Sequence, residues 1–221
     1  MKKNTISLIL SSTVIFLGLS ACKSIDTSTT ITGLAYERQP LPNAQITLID
    51  ASGTQLKTET NALGIYNISA KGLTLPILAS VVSQGKAEDC ANNLRLRPIC
   101  LAALVNQIPD NKQLVANINP LTDRLVSDIA VSKGFIGPQQ WVDSNVIGAV
   151  DTQLVNQALA FMRDGFSVAL TTAGITNVAG FDPATFAMTD TNPVTEIFSL
   201  LHHNRNYENN SGNTGHTSLT D

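Results

Sequence analysis

The sequence predicts an α+β chain: an antiparallel β-sandwich over residues 29–119, then a small α-helical region over 120–203. Two observations carry this. Through the first half, polar and apolar residues alternate with period two, as strands with one buried face require, and turn residues interrupt them at nearly even intervals. At Pro120 the apolar spacing changes to three and four, the period of a helix.

The strands follow in order. Residues 29–36, TTITGLAY, are rich in β-branched side chains and read as the first strand, broken by Pro40 and Pro42. In NAQITLID, 43–50, Ala44, Ile46 and Leu48 share one face while Gln45 and Thr47 take the other. Asp50 and Gly53 bound a turn, because Asp favours its start and Gly tolerates positive φ. TQLKTET, 54–60, alternates again. After the turn NALG, the strand IYNIS, 65–69, puts Tyr66 and Ile68 on one face. LPILASVVS, 75–83, is more uniformly apolar, as a strand inside a sandwich would be. ICLAALV, 99–105, and KQLVANI, 112–118, complete the set, joined by NQIPDN, whose Pro, Asp and Asn suit a turn. Strands this short, separated by turns, suggest a sandwich.

The helical half opens with Asn119 as a cap and Pro120 in the first turn, followed by Leu121, Leu125, Val126 and Ile129 on one stripe. A second helix is expected from about Asp151, with Leu154, Val155, Ala158, Leu159, Met162 and Phe166 on one face and Gly174 at its end. A third, VTEIFSLLHH, follows Pro193. A few helices alone bury such stripes poorly, so Leu121, Leu125 and Ile129 are expected to dock on the sandwich. The tail over 204–221 has almost nothing to bury and is expected to be disordered.

Ahead of the strands stands a leader. Lys2 and Lys3 give it a basic start, and residues 6–19 an apolar stretch too short for a comfortable membrane span. Small Ala21 then precedes Cys22. An ordinary signal peptide with a chance cysteine, or a membrane anchor, would account for part of this pattern. Leu19-Ser20-Ala21-Cys22 resembles the lipobox of bacterial lipoproteins. That resemblance implies that residues 1–21 are a cleaved signal peptide and that Cys22 carries the lipid, palmitate included. Residues 22–28 would be a short polar tether to the membrane. Lys23 stands where an aspartate would resemble an inner-membrane retention signal, so the implied destination is the outer membrane, facing the periplasm or the surface.

Without residues 1–21 the 221-residue chain keeps 200 residues; losing Lys2 and Lys3 leaves 12 basic against 17 acidic side chains, a formal charge of −5. No basic patch interrupts this, which argues against a nucleic-acid partner. Cys90 and Cys100 are an even pair, spaced too widely for a redox C-x-x-C and with no histidine close in sequence to suggest zinc. In the oxidising compartment that the leader implies, they read as a structural disulfide, closing a loop worth roughly 3 kcal/mol. The alternative is two buried free thiols.

Gly33, Pro40-Leu41, Ala44-x-Ile46-x-Leu48, Gly53, Thr60 and Gly64-x-Tyr66-x-Ile68 together resemble the carboxypeptidase regulatory-like domain, over residues 29–82. The resemblance implies a seven-stranded, transthyretin-like sandwich, also classed as a carbohydrate-binding-like fold. Gly64 is then explained by backbone conformation, and Tyr66 by core packing with its hydroxyl at the edge. NINPLTDRLVSDIA and GFDPATFAMT also resemble segments of bacterial envelope lipoproteins in which helices follow such a sandwich.

Candidates for chemistry are few. The G-x-S-x-G elbow, H-E-x-x-H, G-x-x-x-x-G-K and the EF-hand loop are absent. His202 and His203 are adjacent and point about 100° apart on a helix, so they do not share a metal face, and His216 is the one other histidine. Asp123 and Asp128 are not at i, i+3 or i+4 and form no preset carboxylate pair. Thr189 to Asn192, TDTN, would suit calcium or a capped turn before Pro193. Trp141 would suit a stacked sugar or the core. Asn67-Ile68-Ser69 and Asn209-Asn210-Ser211 match a glycosylation pattern that a bacterial setting makes uninformative. No catalytic residue, cofactor or metal is expected. The expectation is a non-catalytic, lipid-anchored envelope protein binding a protein or glycan. Two rivals stand beside it: an enzyme or enzyme accessory with a hydrolytic or carbohydrate site in the helical half, and a ligand carrier with its pocket at the sandwich–helix junction.

Overall fold

Each alternating segment becomes a strand, and the strands divide between two sheets. The structure, a computed structural model, describes residues 25, 29–90, 98–108, 113–187 and 194–198. The leader with Cys22, the histidines, the TDTN segment and the tail lie outside the described residues. Strands β1 (Thr30–Leu34), β4 (Ile65–Ser69) and β7 (Leu114–Val115) form a three-stranded sheet in the order β4-β1-β7. Strands β2 (Gln45–Asp50), β3 (Gln55–Glu59), β5 (Ile77–Ser83) and β6 (Ile99–Val105) form a four-stranded sheet in the order β3-β2-β5-β6. The pairing is antiparallel except between β1 and β7, which run parallel, so the expected all-antiparallel arrangement holds for six strands and not for the last.

The two sheets enclose one apolar core. Ile31, Tyr66 and Leu114 enter it from the smaller sheet, and Ile46, Leu48, Ala79 and Ala103 from the larger. Its tightest point is Gly33, which pairs with Tyr66 across β1 and β4. A Cβ at Gly33 would run into the Ala116 carbonyl and lie 2.7 Å from Tyr66 Cε1. Only glycine admits the ring and the backbone together. Tyr66 was expected to hold its hydroxyl at the edge; instead the whole side chain is buried and the hydroxyl donates to the Ala116 carbonyl at 2.5 Å. A buried phenol needs such a partner, and here the residue just after β7 supplies it. Gly64 behaves as expected, with φ +73° and no room for a side chain beside the Ala35 carbonyl.

Strand β7 is shorter than its sequence suggests. After Val115 the ladder is interrupted, because Asn117 Oδ1 accepts the Leu34 amide while its Nδ2 donates to the Phe186 carbonyl. A bridge resumes between Ala35 and Ile118. Asn119 then caps α1 (Pro120–Ser132), its side chain accepting from the Leu121 and Thr122 amides, as the sequence predicts.

The helices cover the outer face of the larger sheet. Leu125, Val126 and Ile129 of α1 meet Ile49, Leu78, Ala102 and Leu104 in a second core, joined by Trp141 of α2 (Pro138–Asp143). Each such side chain contributes roughly 1.5–3 kcal/mol. Leu121 does not share this dock. It faces a third cluster with Tyr36, Met162, Leu170 and Phe181. The long helix expected from Asp151 to Gly174 is two helices, α3 (Thr152–Gly165) and α4 (Ser167–Thr172). The break falls after Gly165, a weak helix former, at Phe166, whose side chain packs into the third cluster. Residues 194–198 are helical and bring Val194, Ile197 and Phe198 to that cluster.

Of residues 22–28, expected as a tether, the structure describes only Ile25. Ile25, assigned to the tether, is buried in the inter-sheet core, and its amide donates to the Leu73 carbonyl at 2.9 Å. An isoleucine amid polar residues gains more from the core than from water.

Candidate binding surface

Among the described residues two places could hold a ligand: the junction between sheet and helices, and the outer face of the smaller sheet. The junction is filled. Ile49, Leu78, Ala102, Trp141 and Ile147 are buried there against α1, and Asp123 of α1, itself buried, accepts the Ala102 amide at 2.9 Å. That carboxylate satisfies an outward N–H of the edge strand β6, a group that would otherwise invite another strand. Asp128 sits apart on the exposed side, paired with Arg124. The two aspartates therefore do not converge. Trp141 is fully buried, stacked on Phe135 with centroids 6.0 Å apart and with Lys133 Nζ 5.7 Å from its ring centroid. It belongs to the core and offers no face to a sugar.

On the opposite side of the molecule the smaller sheet keeps one face open among the described residues. Period two turns Ile31 and Tyr66 inward and leaves Thr32, Leu34 and Ile65 outward. With Leu63, Val115 and the segment at Thr185, these form an open groove of about 550 Å³. Leu63 is 66% exposed and Ile65 42%. The far wall is held by Asn117, whose amide donates to the Ala184 carbonyl and whose side chain bridges β1 and Phe186. Thr32 Oγ1 donates to the Tyr66 carbonyl at 3.2 Å. Among the described residues, no acid, base, cysteine or histidine lines the groove. Its surface can bind by apolar contact and shape, with threonine and backbone groups at the rim. Nothing in the sequence marked it, because its wall comes from residues distant in the chain. The outward Ile65 in an otherwise polar-out strand was the available signal.

Cys90 and Cys100 stand at disulfide distance, with α-carbons 5.9 Å apart, inside the normal range for a bridge. They join the short 3₁₀ turn Ala87–Asp89 to the start of β6. The intervening residues 91–97 lie outside the described set. Asn67-Ile68-Ser69 is part of β4. At the other end of the strands, Asp50 organises the β2–β3 turn. Its carboxylate accepts from the Ser52 amide and hydroxyl, the Thr54 amide, and the Thr74 amide and hydroxyl. Burial pushes its acidity one way, but these donors outweigh it and hold the carboxyl below its usual range.

Among the described residues no group of three or more His, Cys, Asp and Glu is placed to hold a metal ion. No helix among them is long and apolar enough to cross a membrane. No protein-family model, no curated protein and no solved structure matches the chain.

Proposed function

We propose that this chain is a non-catalytic, lipid-anchored protein of the bacterial outer membrane whose transthyretin-like sandwich presents a binding surface to an envelope protein or glycan. The observation that carries the reading is the contrast between the two faces: the junction is packed, while the open groove at Leu34, Leu63 and Ile65 holds apolar surface with no acid or base among the described residues. Such a lining supports recognition and gives hydrolysis neither nucleophile nor proton carrier. The seven strands, the Gly33–Tyr66 pairing and the Gly64 turn support the carboxypeptidase regulatory-like resemblance. The lipobox at Leu19 to Cys22 supports the anchor. A carrier with its pocket at the junction finds no space there.

Two measurements test this. Cys22→Ser is expected to abolish palmitate labelling and leave an uncleaved or soluble precursor; continued labelling would refute the anchor. A photocrosslinking residue at position 65 is expected to capture a protein or glycan in intact envelopes that the same group at Val168, on α4, does not. Equal capture at both positions would remove the groove from the proposal.

A further inference from the structure

The way the chain enters the fold fixes more than attachment. Ile25 is seated on Leu73, and three peptide units separate it from Cys22, so the two α-carbons lie within about 11 Å of each other. Leu73 lies at one end of the strands. Thr30 pairs with Ser69 there, and Asp50 with Ile77. The opposite end, holding Gln45, Ile65 and Ser83, is a strand length away, roughly 23 Å for a seven-residue strand such as β5. The leash is half that. A bilayer holding acyl chains on Cys22 is therefore kept close to the Leu73 end of the molecule.

The helical layer contributes its own residues to this near end. Gln55 Nε2 donates to Asn145 Oδ1, and the space beside Gly53 Cα is closed by the Asn145 carbonyl. Asn106, just past β6, donates to Thr152 Oγ1 at 3.4 Å. Lys133 Nζ reaches the Ala149 carbonyl at 2.8 Å, drawing the loop after α1 to the same end. Two large apolar side chains stand out here: Val146 is 66% exposed and Ile136 82%.

Resting on the lipid-anchor reading, we propose that the end of the fold bearing Leu73, the Asp50 turn and the 134–148 loops lies against the lipid surface, with Val146 and Ile136 entering its interface. Exposed aliphatics alone would say little. Their position on the one end that the short leash brings to the bilayer is what assigns them. The groove at Leu34, Leu63 and Ile65 belongs to the far half, so this orientation turns it toward the aqueous side, open to a partner.

The test uses the lipidated mature protein in vesicles of phosphatidylethanolamine and phosphatidylglycerol. Val146→Cys and Leu63→Cys, at positions equally exposed at 66%, each carry an environment-sensitive fluorophore, and nitroxide-bearing lipids act as quencher. Quenching at position 146 is expected to exceed that at 63 several-fold. Equal quenching in protein that floats with the vesicles would overturn the orientation and leave the anchor standing. Protein that neither floats nor carries palmitate would overturn the anchor, and the orientation with it.

Discussion

Leu78 and Ile65 are both aliphatic, and both point outward from their sheets. Leu78 is fully buried beneath α1 and α2, whereas Ile65 is 42% exposed above an open groove. The larger sheet is therefore a layer between two cores, and the smaller one is a wall with a free side. Strand composition follows from this. β5 is buried almost throughout, as a strand covered on both faces must be, while β4 alternates Ile65, Asn67 and Ser69 outward with Tyr66 inward. The difference teaches where the chain can change without unfolding, and so where a partner can be met.

The largest effect should come from stripping the cover off the larger sheet. A chain ending at Asn119 exposes Ile49, Leu78 and Leu104 and leaves the Ala102 amide without Asp123. At roughly 1.5–3 kcal/mol for each side chain, the loss rivals the whole stability of a typical domain, about 5–15 kcal/mol. Thermal and urea unfolding by circular dichroism should find no cooperative transition at the midpoint of the full chain. An unchanged midpoint would mean that the helices are an independent unit. A milder version is Leu78→Ala, expected to cost about 2–5 kcal/mol. A cost near zero would contradict the packed junction.

Next comes the bridge at the far end of β5. Reduction of Cys90–Cys100 should lower stability by roughly 3 kcal/mol, seen as a shifted urea midpoint in reductant. Denatured, unreduced protein should carry no alkylatable thiol at these positions, and two reactive thiols would defeat the pairing.

The Asp50 turn offers a smaller, pH-dependent handle. Its carboxyl is held below the ordinary value, so its contribution is complete above about pH 4 and is lost as pH falls through the folded-state value. Asp182 acts in the opposite sense. Burial raises it, against the Ala184 amide and the Arg163 charge, so its cost is relieved on acidification. Asp50→Asn should lower stability at neutral pH by about 1–3 kcal/mol, because an amide cannot accept all five donors. It should also flatten the acid limb of the stability profile. An unaltered acid limb would show that Asp50 does not control it.

Period and turn chemistry carried most of the fold in the sequence. β4 and β6 occupy the residues expected of them, Asn119 caps α1, and Gly174, with φ +84°, ends α4. Local signals failed where distant residues decide. Asn117 interrupts β7 because its side chain bonds Leu34 and Phe186 together. The six residues of α2 are too few to show a period. Tyr66 turns its hydroxyl inward because Ala116, 50 residues on, offers a carbonyl. The groove is of the same kind, since its walls meet only after the smaller sheet, its flanking loops and the 183–187 segment are in place.

The smallest stability effect is the most informative about function. Leu63→Ser and Ile65→Ser both alter exposed side chains on the open face, and neither removes a hydrogen bond of β4 with β1. Exposed substitutions away from caps and cores usually stay within about 0.5 kcal/mol, so the unfolding midpoint of the double variant should match that of the native chain. If the groove is the binding face, the variant should nonetheless lose the crosslinked partner while remaining lipidated and folded. A destabilisation like that of Leu78→Ala would mean that the face is covered within the chain itself. A normal midpoint with undiminished crosslinking would move recognition elsewhere, leaving the groove as exposed sheet with no partner of its own.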